Sequence, residues 1–451
     1  MHTSIQIEKG FPSLSDNTLL RYVNFIALYL AQGIPEGMLL FGIPAWLAMN
    51  GKSPGEIAGF AVAFGLPWSF KFIVAPMMDR FTYLPMGRKR PWVLFGQLGL
   101  IVSFVSMAFI PDPLHNLKLL MMAVFAVGFF GAFQDVATDG MAIDIIPVNQ
   151  QARANGFMWG SKIAGTAASL ALGSWLLNQY SFSTAILVLS CGIGLIMLAP
   201  LLLRERPGEK VLPWTKGESS AENKKLQPDN WGAIFKSLYR VFSLRNSLLF
   251  AAIAFMTQGA VNFMDTLLPI FTVQHLGWTD QTYSNFNATA TLVGGLGGML
   301  VGGILIDKFG KMRMLNVYLA LQIVFISTFF LMQSYWQNRA VISGYMVLYQ
   351  ILNTFTTIGI FATAMQCCWK KVSASQFTMF MTISNIGRIA GASLVGPLTN
   401  RFDWEYVVLS FGVLIAIAWL GIQFLNVDRQ VSRIAEFERH DAEILSIPAM
   451  P

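Results

Sequence analysis

The sequence predicts an all-α membrane protein: twelve transmembrane helices in two six-helix pseudo-repeats. Three observations carry that expectation. Of 451 residues, 54% are hydrophobic and 12% are charged, whereas a soluble domain carries roughly a quarter charged residues. The apolar residues gather into twelve runs, each near the ~20 residues that cross a hydrocarbon core. The lysines and arginines in the loops and at the run ends divide 24 to 4 between alternate sides, as expected when basic loops stay on the cytoplasmic side. A multidomain soluble enzyme and a disordered chain are thereby excluded. The net charge of +7 belongs to those loops and needs no nucleic acid to explain it.

The first six runs lie near 20–48, 56–79, 92–110, 117–144, 155–178 and 184–203. The segment ahead of the first run is polar, and that run is too long for a signal-peptide core, so it is expected to stay as a span. A polar stretch follows the sixth run, centred on Lys216-Gly217-Glu218-Ser219-Ser220. The last six runs lie near 247–273, 281–306, 314–333, 340–365, 377–399 and 406–426. The organisation predicted is therefore a bundle over 1–203, a cytoplasmic linker over 204–246, a second bundle over 247–426 and a cytoplasmic tail over 427–451. Within the linker, Trp231 to Leu244 alternates apolar and basic residues in a pattern that suits a helix on the membrane surface or a solvated linker helix. Gln32-Gly33 recurs as Gln258-Gly259, and Met78-Asp79-Arg80-Phe81 as Ile306-Asp307-Lys308-Phe309, at nearly equal offsets. A duplicated six-helix unit accounts for both, and such duplications place a cargo site where the repeats meet.

A charge within an apolar run costs about 2.5–3.5 kcal/mol at the bilayer centre on insertion scales, so such residues face a cavity or a partner. The chain keeps Glu36, Lys71, Asp135, Asp139, Lys162, Asp265 and Arg388 in its runs. Counting from the cytoplasmic helix ends at 1.5 Å per residue puts Lys71, Asp135 and Lys162 at one depth, about 12–14 Å in. They are expected to line a charged cavity, or to form a buried ion pair that orders the bundle. Asp139 shares a helical face with Asp135; the two carboxylates either hold a proton between them or Asp139 reaches water. Glu36 follows Pro35, which can break the first helix and free carbonyls. Glu36 and Asp265 are placed in the outer half, and Asp144 at the interface. Arg388 is expected to hold an anion or a carboxylate, because arginine stays charged.

The loops between runs two and three and between runs eight and nine have a different purpose. Asp79-Arg80 leads to Gly87-Arg88-Lys89-Arg90, and Asp307-Lys308 to Gly310-Lys311-Met312-Arg313. An acid at a helix end followed by cations lets helices lock on the cytoplasmic side, so both loops are read as gates. Gly294, Gly298 and Gly302 offer a smooth face for close packing. Three cysteines and four histidines show no disulfide or metal spacing. The sequence has no phosphate-cradling GxxxxGK[ST] loop, so an ion gradient is the expected energy source. No cofactor is expected, and no enzyme activity.

The paired gate loops in a six-plus-six chain resemble the major facilitator superfamily. Finer features resemble its branch of AmpG-like muropeptide permeases and their relatives, which include acetyl-CoA transporters. They are Gln32-Gly33-Ile34-Pro35, Phe70-Lys71-Phe72 with Ala75-Pro76-Met77-Met78-Asp79-Arg80, Gly87-Arg88-Lys89-Arg90 with Trp92, and Gln134-Asp135-Val136-Ala137-Thr138-Asp139-Gly140. Ser373 to Phe377 and Ser384 to Arg388 add a weaker match; Glu36 and Pro91-Trp92 depart from the pattern. The resemblance implies a proton-coupled importer of anhydromuropeptides, with siderophore import and then acetyl-CoA carriage as alternatives. It also implies a bacterial inner-membrane location, and the 24 to 4 division of basic residues places both termini on the cytoplasmic side. Substrate and proton sites are expected at Glu36, Lys71, Gln134, Asp135, Asp139, Lys162, Gln258, Asp265 and Arg388, in a monomer whose partners are a small molecule, protons and the lipid bilayer. A non-transporting sensor or scaffold is the alternative of another class, against which the short linker and tail count.

Overall fold

The computed structural model describes residues 13–228 and 230–446. The chain termini, whose side of the membrane is predicted above, lie outside them. Among the described residues, twelve long helical runs follow one another. They are α1 (Thr18–Met49), α2 (Gly59–Arg80), α3 (Arg90–Met107), α4 (Leu117–Ile145), α5 (Gln151–Gln179), α6 (Phe182–Leu202), α7 (Arg245–His275), α8 (Phe286–Phe309), α9 (Lys311–Leu331), α10 (Arg339–Cys367), α11 (Ser373–Thr399) and α12 (Trp404–Gln423). Of these, ten are long and apolar enough to cross a membrane. The other two, α5 and α11, have the length at 29 and 27 residues. They carry Lys162 and Arg388 among Gly, Ser and Thr, which dilutes their apolarity.

Helix starts follow local chemistry. Asn17 accepts the Leu20 N–H at α1, Ser181 the Thr184 N–H at α6, and Asn338 the Ala340 N–H at α10. Each satisfies one donor that the first turn leaves open. Pro35 does not break α1 as the sequence suggests. The helix runs through it, and a wide turn over Met38–Gly42 follows. The Met38 N–H closes back on Pro35 O and Ile43 N–H on Met38 O, so the strain is absorbed by a π-turn rather than by freed carbonyls. Pro269 in α7 is likewise followed by a wide turn, Phe271–His275.

The chain divides into two compact units. One holds the residues through Pro147, Phe157–Ile234 and Ser373–Thr378; the other holds Val148–Gly156, Phe235–Val372 and the residues from Met379 on. In the first unit α4 packs on α2 and α3, and α6 packs on α1 and α3. In the second, α10 packs on α8 and α9, and α12 on α7 and α9. The internal pattern is the same with every number raised by six, as a duplicated unit requires. Apolar side chains such as Val102, Leu195 and Val324 stand exposed while Asn24, Gln97 and Gln134 are fully buried. That inside-out distribution suits hydrocarbon surroundings.

Two amphipathic helices stand apart from the spans. The linker helix Trp231–Phe242 buries Ile234, Leu238 and Val241 and exposes Phe235 and Tyr239. The tail expected beyond 427 forms a helix, Val427–Ser446. Its Asp441 receives Lys371 at 2.8 Å and Arg240 at 2.9 Å, and its Gln430 donates to Ser247 at 2.7 Å. The glycine face of α8 packs closely: a Cβ on Gly294 would stand 2.8 Å from Gln350 O, and one on Gly298 2.4 Å from a Thr354 methyl.

Candidate functional site

Four helices of the first unit bring their charges together. Pro67 interrupts α2, so that the chain turns at Phe70 and a new helical stretch starts at Lys71. Its ammonium meets Asp135 Oδ2 on α4 at 2.9 Å, both side chains nearly buried. Lys162 on α5 meets Glu36 Oε1 on α1 at 2.7 Å and stands over the rings of Trp68 and Trp159, 5.2 and 5.5 Å from their centroids. Asp139, one turn beyond Asp135, is buried and accepts the Tyr29 hydroxyl at 2.6 Å. Gln32 donates to Gln134 at 2.7 Å, and Gln134 in turn donates to Leu28 O at 3.3 Å. Two lysines therefore face three carboxylates, and with all five ionised the cluster carries one excess negative charge.

Several of these positions differ from those read in the sequence. Glu36 is not in a separate outer layer with Asp265; it is the partner of Lys162. The depth count assumed that helices begin at one level. The chain ahead of α1 runs alongside the linker, with Leu14 N–H on Arg204 O at 2.8 Å and Ser15 N–H on Glu205 O at 3.0 Å. The Glu36–Lys162 pair thus joins two residues whose counts from their helix starts differ by about two turns. Asp139 does not reach water, because α4 is enclosed along its last four turns. Asp144 is buried too, and takes Arg88 Nη1 at 2.9 Å.

In the second unit Arg388 on α11 lies against α7. Its guanidinium donates to Gln258 Oε1 at 3.4 Å and Asn262 Oδ1 at 3.3 Å, while Asn262 donates to Arg388 O at 2.9 Å. Asp265, also on α7, accepts the Tyr349 hydroxyl at 3.0 Å. Among the described residues no carboxylate lies within 4.0 Å of Arg388.

The predicted gate residues form two caps. Asp79, fully buried, pairs with Lys89 and with Arg88 at 3.5 Å. It also accepts Ser375 N–H at 2.8 Å, Ser375 Oγ–H at 2.6 Å and Ala374 N–H at 3.4 Å, so it caps α11 where the dipole favours an anion. Asp307 accepts Ala152 N–H at 3.2 Å and Arg153 N–H at 3.0 Å, capping α5, while Lys311 donates to Gln151 at 2.8 Å. Gly310 ends α8 at φ +95°; Lys308 lies exposed over the Phe309 ring, and Arg313 is exposed. Arg80 contributes its carbonyl, which accepts from Gln227, and lays its guanidinium over Phe81. Arg90 is a strut: it donates to Pro200 O, Leu201 O, Lys210 O and Val211 O at 2.8, 2.6, 3.0 and 2.7 Å.

Glu205 was not singled out by the sequence. Its carboxylate accepts the N–H groups of Arg88, Lys89 and Arg90 at 2.6, 2.6 and 2.5 Å, tying the linker to the start of α3. Gly87 allows this: its φ is +108°, and a Cβ there would stand 2.6 Å from the Glu205 carboxyl carbon. Glu209 accepts Arg206 N–H at 2.9 Å and Asn223 at 2.6 Å. Burial first, and then the Glu205 carboxylate, push its pKa up to about 8. A carboxyl raised in the folded state holds a proton that the unfolded chain releases, so its contribution is complete below the ordinary carboxylate range and is lost as pH rises through about 8. The linker is expected to loosen as the pH passes that value, seen as faster protease cleavage near 210–225, and Glu209→Gln should remove that pH dependence.

One signal in the sequence could have found the pairing of α1 with α5. Lys162-Ile163-Ala164-Gly165 recurs as Arg388-Ile389-Ala390-Gly391, at the same offset that relates Gln32-Gly33 to Gln258-Gly259.

Comparison with known proteins agrees with this architecture. The family description that matches the sequence is Major Facilitator Superfamily, over residues 25–392. The chain is 24% identical to the anhydromuropeptide permease of Escherichia coli K12 over 432 residues, spanning 94% of this chain and 82% of that protein. It is also 24% identical to the putative transporter AmpG 4 of Rickettsia felis over 436 residues, spanning 90% and 96%. Among solved structures, the E. coli fucose:proton symporter FucP superposes with a TM-score of 0.67 at 13% identity, covering 90% of this chain and 99% of that one. A bacterial homologue of the iron transporter ferroportin gives 0.63, again at 13%, with the same coverage. These two likenesses speak to the fold alone.

Proposed function

The chain belongs to the major facilitator superfamily of secondary transporters, and from that premise we propose that it is a proton-coupled importer of anhydromuropeptides, the sugar-peptides released in cell-wall turnover. The observation that carries the proton is the charge count of the first unit: Glu36, Asp135 and Asp139 against Lys71 and Lys162. Asp135 and Glu36 each hold a lysine, whereas Asp139 holds only a tyrosine hydroxyl. A proton on Asp139 makes the cluster neutral, and its departure restores the excess charge. A group that alternates in this way biases a carrier between its two openings, because each opening binds the proton differently. Lys71, Gln134 and Gln258 serve as further cargo or network contacts, and the caps at Asp79 and Asp307 as the locks that release when the basic end opens.

The 94% coverage by an anhydromuropeptide permease supports the cargo class, and the guanidinium of Arg388, which meets amides but no carboxylate, suits a cargo that carries carboxylates. The 24 to 4 division of loop cations supports cytoplasmic termini in a bacterial inner membrane. Uptake of labelled anhydromuropeptide into energised vesicles tests the reading, with an iron-loaded siderophore in a parallel arm. Asp139→Asn should lower accumulation to the level of a protonophore-treated control while leaving downhill exchange. Accumulation at the wild-type rate with unchanged pH dependence would remove Asp139 as the proton site; uptake of the siderophore alone would replace the cargo.

A further inference from the structure

The two halves of the chain carry the same cation slot with opposite occupancy. Lys162 and Arg388 stand in matching Ile-Ala-Gly contexts, and the residues opposite them, Glu36 and Asn262, are separated along the chain by the same interval. Both slots are built on helices crossing backbone to backbone. A Cβ on Gly33 would stand 2.2 Å from Lys162 O, and one on Gly165 2.6 Å from Leu30 O. In the second half a Cβ on Gly391 would stand 1.9 Å from Gly259 O, and one on Gly259 3.0 Å from Gly387 O. Crossings this close fix which residue faces the cation.

In the first half that residue is a glutamate, 2.7 Å from the ammonium, with two indoles closing the sides of the slot. In the second half it is an asparagine. Arg388 has two amide oxygens at 3.3 and 3.4 Å, long contacts for a charged donor. The acid nearest along α7, Asp265, is engaged by Tyr349 and acts on the guanidinium from beyond ion-pair distance. Arg388 therefore has amide oxygens but no carboxylate in direct contact, and an anion brought against it would supply the close partner.

We propose that Glu36 is an internal anion that fills the first slot permanently, so that the carrier grips its cargo through a single anionic group, at Arg388. Positions 36 and 262 are then the residues that determine charge specificity. The inference rests on the transporter reading above and goes further, since it names how many anionic groups are held and where.

The test exchanges the two residues. Asn262→Glu supplies Arg388 with an internal anion and closes the remaining slot. Uptake of an anhydro-disaccharide probe bearing one carboxylate should fall by about tenfold or more. Adding Glu36→Asn opens the slot at Lys162 without changing the total charge; because Glu36 also belongs to the proton cluster, this double variant is read in the melting series below, where it should regain a response to lactate. Asn262→Glu transporting like the wild type would overturn the proposal. A second readout does not depend on the cargo. In detergent at low salt, sodium lactate should raise the melting temperature of the wild type relative to sodium chloride, and Asn262→Glu should melt higher than the wild type with no further gain from lactate. Wild-type vesicles that ignore the probe would count against the muropeptide reading, while the melting series still decides the slots: no rise with Asn262→Glu, and a lactate response unchanged by it, would sink the assignment.

Discussion

Asp135→Leu is expected to abolish accumulation of cargo and to destabilise the purified protein by about 3–5 kcal/mol, the usual cost of stranding one partner of a buried ion pair. Lys71 would be left with its ammonium nearly enclosed, over the Trp68 ring 5.7 Å from its centroid and with Asp139 as its nearest remaining acid, at longer range. A cation–π contact contributes about 0.5–2 kcal/mol and cannot replace the carboxylate. The single variant alone does not separate a structural role from a transport role, but the pair does. Lys71→Leu/Asp135→Leu removes both charges and fills similar volume, a change that is often neutral or stabilising. Its melting temperature in detergent should return close to that of the wild type while uptake stays absent. A double variant that transports would show the pair to be packing alone; a single variant that melts normally would show that Lys71 finds another partner.

Glu205→Ala is the second large effect, and it acts away from the intramembrane charges. One carboxylate receives three consecutive backbone N–H groups at the start of α3. Each buried donor left unsatisfied costs about 1–3 kcal/mol, and water entering the gap offsets part of that. The same loop holds Arg88 and Lys89 against Asp79 and Asp144, so loosening it also frees the cap on α11. The expected outcome is a lower melting temperature together with rapid proteolysis within 83–90. Glu205→Gln should recover part of the loss, since an amide oxygen accepts where a methyl cannot. If Glu205→Ala melts within about 1 kcal/mol of the wild type, the loop is held by Arg90 and its four carbonyl partners instead.

The spans were legible because apolarity over about 20 residues is a strong signal, and the gate acids because each is followed by a run of cations. What the sequence hides is lateral pairing. Nothing in the neighbourhood of Glu36 announces Lys162, four helices further along the chain, and counting depth from helix ends does not say which helices meet. Asp139 and Asp144 look like groups near water because they approach the end of an apolar run, yet the helices around α4 enclose them. Glu205 reads as an ordinary linker charge, and only the backbone conformation at Gly87 turns three N–H groups toward it. Internal repetition is the exception: the Ile-Ala-Gly echo links both cations and both glycine crossings through one offset.

The indoles beside Lys162 have a practical consequence. Ring emission is sensitive to nearby charge, and Trp68 and Trp159 both lie against an ammonium whose neutralisation depends on one carboxylate. Removing that carboxylate alters the field across both rings at once. The protein thus carries an optical reporter of the charge state of this ion pair, usable without any attached dye once the remaining tryptophans are replaced by phenylalanine.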